Sequence, residues 1–208
     1  PDVKILKGLI AGTSLSIIAY EKDAVKVQSL REYFNKLGIY ADRLMFLEYE
    51  KPNPVLPKYF SSLTLINENF GFDNEFMNMI YESTRPYGGK IVISKGIEDR
   101  DNLAGSFRNL NLYGAVIETG TPFSLITREG ALDGAANWTH NYGDIANTVK
   151  SDDKMVKAPL GILWFGGNSN MDVLPRHGHG PGEQVIDGRL IIESIDGISA
   201  RDVYTGRV

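Results

Sequence analysis

The chain has 208 residues, 42% hydrophobic and 23% charged, ordinary values for a globular protein of one large domain or two small ones. A formal net charge of −4 and 22 scattered basic residues argue against a dominant nucleic-acid-binding role. The absence of cysteine excludes disulfides, thiolate catalysis and cysteine-ligated zinc, and no apolar run approaches the roughly 20 residues that span a bilayer. Neither an extracytoplasmic nor a cytoplasmic setting is excluded by a cysteine-free chain.

In chain order, Val3, Ile5, Leu6, Leu9 and Ile10 form a short helical face over residues 3–11, and residues 15–20 form a buried strand. Asp23 caps an amphipathic helix to about Leu37, with Val27, Leu30, Phe34 and Leu37 inward and Gly38 at its end. Strands follow at 44–47 and 63–66, separated by a connector containing Pro52, Pro54 and Pro57. Asp73 caps the next helix, with Phe76, Met79 and Ile80 inward. The turn Arg85-Pro86-Tyr87-Gly88-Gly89 leads into a strand at 90–94, a polar helix over 99–108 and strands at 114–119 and 123–127. Such alternation predicts an α/β fold, a mostly parallel sheet with an antiparallel edge.

After Gly130, Gly, Asn, Asp and Pro punctuate the chain every few residues, and the strong apolar runs shrink to 160–165 and 190–192. This predicts a β-rich segment and a boundary near 130, giving domains of 1–130 and 131–208. The chain opens Pro1-Asp2-Val3 without a methionine and stops within a strand-like run, so it reads as a fragment of a larger protein.

In open parallel sheets, ligands bind beyond the carboxyl ends of the strands, where an acidic residue can accept hydrogen bonds from both ribose hydroxyls. Glu21 has that position in Ile17-Ile18-Ala19-Tyr20-Glu21-Lys22-Asp23. With Lys26 and Val27, Gly38-Ile39-Tyr40-Ala41-Asp42-Arg43-Leu44 and the Arg85-to-Gly89 turn, the first half resembles class I S-adenosylmethionine-dependent methyltransferases over about residues 1–128. The resemblance implies a Rossmann-like sheet lacking its first strand and Gly-rich loop, which would lie just before Val3. It implies S-adenosylmethionine as cofactor, Glu21 on the ribose, Glu50 near the adenine amino group, and Asn67, Glu68 and Asn69 facing the methyl group and an unreadable acceptor.

In the second half, Asp187-Gly188-Arg189-Leu190-Ile191-Ile192 and the run from Asp196-Gly197 to Thr205-Gly206-Arg207-Val208 are similar to the PQQ-type, quinoprotein-like β-propeller repeat. Ala136-Asn137-Trp138 through Thr148 resembles the opening of such a propeller, and Pro159-Leu160-Gly161-Ile162-Leu163-Trp164 its first blade strand with a closing Trp. The combination resembles large planctomycete-type bacterial proteins. One blade cannot bury its faces alone, so the resemblance implies that the rest of the protein or another chain completes the propeller.

All three histidines lie here, at His140, His177 and His179, with Asp144 and Asp172 within reach of a cluster; backbone hydrogen bonding is the reading adopted, and no metal is assigned. The leading functional reading is a methyltransferase-like protein with a propeller appendage. The runner-up is a non-catalytic assembly scaffold with a relict Rossmann domain, and a quinoprotein oxidoreductase comes third.

Overall fold

The computed structural model describes residues 1–49, 56–67, 73–94, 100–120, 122–166, 173–174 and 182–208. Among them, no helix is long and apolar enough to cross a membrane. The chain divides into two compact units, Pro1–Val55 and Leu56–Val208.

The first unit runs α1 (Val3–Gly12), β1 (Ile17–Glu21), α2 (Ala24–Lys36) and β2 (Leu44–Glu48). Both helices start where an aspartate occupies their free N–H groups: Asp2 accepts from Lys4 and Ile5, and Asp23 from Val25 and Lys26. α2 ends at Gly38, which takes the left-handed conformation at φ +67°. β1 and β2 pair in parallel, with Ile17 opposite Leu44 and Glu21 opposite Glu48. One face of the pair meets α1 and α2 in a core of Leu6, Ala19, Val27, Leu30, Phe34, Leu44 and Phe46. Three of Arg43's hydrogen bonds, to the carbonyls of Ile10, Thr13 and Leu15, tie down the link between α1 and β1.

The second unit opens with β3 (Leu63–Ile66), α3 (Asn74–Ser83), β4 (Gly89–Ile93), α4 (Arg100–Asn109), β5 (Ala115–Glu118) and β6 (Ser124–Arg128). Its four strands lie in the order β3-β4-β6-β5. β3 and β4 are parallel, whereas β6 runs antiparallel to both β4 and β5. The reversed strand is therefore interior to the sheet and β5 is the edge, a detail that strand-by-strand reading could not give. Ile66, Ile91, Ile93 and Ile126 pack against Phe76, Met77 and Ile80 of α3 and Leu103, Ala104 and Phe107 of α4.

The same unit continues into β7 (Gln184–Ile186), β8 (Arg189–Glu193) and β9 (Ile198–Asp202), an antiparallel three-stranded sheet. The expected turns are present: Ser194 N–H donates to the Gly197 carbonyl, and Asp202 caps the Tyr204-Thr205-Gly206 turn. β7 was not anticipated, because three residues are too few to show a period. The strand expected at 159–164 does not form. Leu160, Ile162 and Leu163 are exposed there, and a strand without a neighbour cannot satisfy its backbone.

The small sheet docks on the α/β part through the Arg85–Gly89 turn. Arg85 pairs with Asp202, and the Tyr204 ring meets Tyr59 at 5.4 Å and Tyr87 at 6.4 Å between centroids. Gly188, at φ +74°, leaves room for the Tyr87 ring; a Cβ there would sit 2.5 Å from Tyr87 Cδ2. Arg128 stacks its guanidinium over Tyr59 and Tyr81 and donates to the carbonyls of Tyr81 and Thr84. Burial, reinforced by Tyr87 and Tyr59, pushes the Tyr204 hydroxyl up to about 12, so Tyr204 stays protonated across physiological pH.

Candidate functional site

Glu21 is the best-defined candidate. β1 delivers it to the carboxyl end of a parallel strand pair, and the alternation of the strand turns its side chain toward the face covered by the helices. It is 4% exposed. Oε1 accepts the backbone N–H groups of Lys22 at 2.9 Å and Asp23 at 3.3 Å, which folds the strand end into the start of α2. Oε2 faces Lys26 Nζ at 2.6 Å and the Pro1 amine at 3.2 Å. Both contacts are ion pairs.

Burial alone would raise the Glu21 pKa. The Lys26 ammonium and the Asp23 N–H lead the contacts that outweigh it, and the carboxyl is held at about 2. Glu21 is thus an anion throughout the physiological range. An ionised carboxylate beyond a parallel strand is chemically suited to accept from a diol. The same oxygens already carry donors from their own chain, so a ribose would have to take the place of a cation at Oε2.

Asn67 directly follows β3 and is half-buried at the carboxyl end of that strand. Glu50 and Glu68 lie outside the described residues, as do Asn69, Asp172, His177 and His179. His140 is exposed, its Nδ1 2.8 Å from the Thr139 hydroxyl and its carbonyl accepting from Gly143 N–H. Asp144 accepts from Ala146 N–H and from the backbone and hydroxyl of Thr148, contacts that lower its pKa, the Thr148 hydroxyl contributing most. Its oxygens are committed to a local turn. Among the described residues no group of three or more His, Asp or Glu side chains is arranged to hold a metal ion.

Trp164 has a defined seat although its expected strand is missing. Its Nε1 donates to the Val203 carbonyl at 2.8 Å, and its ring lies against Gly206, where φ +70° and the indole leave no room for a Cβ. Lys26, Arg85, Arg128 and Tyr204 were not singled out by the sequence as partners. Only Lys26 carried a usable signal, one turn into a helix that starts beside an acidic strand end.

No family model and no curated protein matches the sequence. Among solved structures, a SAM dependent methyltransferase from Aquifex aeolicus is similar over 54% of this chain and 67% of its own, at 14% identity and a TM-score of 0.41. A likeness of that degree decides neither fold nor activity. The mixed α/β architecture rests on the chain's own strand pairing.

Proposed function

We propose that the α/β part is methyltransferase-like and takes S-adenosylmethionine, with the β-rich end as the start of a PQQ-type propeller packed on it. The observation that carries the reading is Glu21, an ionised carboxylate at the carboxyl end of β1 in a parallel β1-α2-β2 unit. When bound, S-adenosylmethionine supplies a methyl group activated by its sulfonium. On this reading Glu21 orients the ribose and Lys26 keeps that carboxylate charged, while Glu50 meets the adenine and Asn67 and Glu68 face the methyl group and acceptor. The antiparallel β7-β8-β9 sheet and the seat of Trp164 on Gly206 support the propeller half of the proposal, with further blades supplied by the rest of the protein or by another chain.

A second reading has its own support. Both Glu21 oxygens are held by their own chain, and the Arg85–Gly89 turn is engaged by β9 and the Gly188 turn. These contacts suit a relict α/β domain that serves to anchor a propeller.

Calorimetric titration of S-adenosylmethionine into the intact protein and its Glu21→Gln variant separates the two. The cofactor reading expects binding in the wild type and an affinity lower by roughly tenfold or more in the variant, the cost of a charge-assisted hydrogen bond of about 1.5–3 kcal/mol. Equal affinity in the two proteins removes Glu21 from the site. Absence of binding in both leaves the anchoring role.

A further inference from the structure

β9 carries a charge that the surrounding sheet does not balance. Alternation along Ile198–Asp202 puts Ala200 and Asp202 on one face and Ser199 and Arg201 on the other. Asp202 is accounted for, with Arg85 on Oδ2 and the Tyr204 and Thr205 N–H groups on Oδ1. Arg201 is not. It is 6% exposed and lies opposite Leu190 on β8.

A guanidinium has five N–H donors, no acceptor, and keeps its proton in any protein environment. One donor, on Nη1, reaches the Gly166 carbonyl at 3.5 Å, the outer limit of a hydrogen bond. Nε is buried without a partner, and so is Oγ of Ser199 two residues earlier on the same face. Glu21, Glu82, Asp152 and Asp202 are held in ion pairs among the described residues, and none of those pairs includes Arg201. A charge this deeply buried is strongly unfavourable until an opposite charge joins it. A neutral partner such as water would satisfy Nε and leave the charge uncompensated.

We propose that Arg201 and Ser199 form a binding site for a small oxyanion, the phosphate or carboxylate group of a ligand, against the β8–β9 face beside Gly166. Both partnerless groups can donate, which selects an acceptor-rich ligand. Their Cα atoms are about 7 Å apart along the strand, and the long arginine side chain can close that gap around one oxyanion. Leu190 and Ile192 stand opposite them in register, and the buried Ile192 limits water, which strengthens the charge interaction. The site is independent of Glu21, which belongs to the other compact unit.

Thermal unfolding of the full chain at fixed ionic strength, with potassium phosphate, acetate or chloride as the varied salt, tests this. Phosphate or acetate at about ten times its Kd should raise Tm by roughly 3–6 °C above the chloride control. A response to phosphate alone indicates a phosphorylated ligand, and a response to acetate indicates a carboxylate. Arg201→Met should abolish the rise, and Ser199→Ala should weaken the anion's affinity roughly fivefold, the worth of one hydrogen bond. Ser199→Ala leaves the buried charge in place and carries the test if Arg201→Met does not fold. The proposal is overturned if neither anion moves the wild-type Tm, or if the rise is the same in the wild type and in the variants that fold.

Discussion

The Glu21 carboxylate ties the stability of the first unit to pH, and the sign follows from its contacts. Its pKa falls from an ordinary 4.5 to about 2 in the folded chain. Between those values the unfolded chain binds the proton first, so acid favours unfolding. The contribution is fully present above about pH 5 and is lost as the pH falls through about 2. At about 1.4 kcal/mol per pKa unit, it amounts to at most about 3 kcal/mol. Glu21→Gln keeps the shape and removes the charge. Urea unfolding followed by circular dichroism at pH 7, 5, 3.5 and 2.5 should show the variant less stable at pH 7, with the gap closing as the pH falls. Lys26→Met, which removes the largest of the contacts that lower the pKa, should move the acid transition of the wild-type carboxylate upward. A gap between wild type and Glu21→Gln that stays constant from pH 7 to 2.5 would refute the argument, because the carboxylate would then contribute through packing and not through its charge.

Gly188→Ala forces a Cβ toward the Tyr87 ring at φ +74° and should cost roughly 2 kcal/mol in urea unfolding, whereas Gly105→Ala, in open space within α4, should stabilise by roughly 0.5–1 kcal/mol. Arg85→Ala leaves Asp202 without its cation, so amide exchange in β8 and β9 should speed up while the α3 core, held by Phe76, Met77 and Ile80, keeps its protection. Equal acceleration in α3 would show that the small sheet and the α/β sheet unfold together.

Local chemistry made most elements legible in the sequence. Asp23 and Asp73 cap the helices they precede, and Gly38 ends α2, because a cap is decided by a few neighbouring atoms. The strands from β1 to β6 sit within about two residues of the expected runs, since each buries an apolar face whose period shows in the chain. Glu21 was also legible as a strand-end acid. Its partners were not, because the Lys26 ammonium approaches it only once the strand end folds back onto α2. The order β3-β4-β6-β5, the pairing of Arg85 with Asp202 across more than a hundred residues, and the unpaired Arg201 all depend on which strand lies beside which. The apolar run at 160–165 shows the same limit from the other side: apolar residues describe a strand's tendency, and only a neighbouring backbone in tertiary structure supplies the hydrogen bonds that make it one.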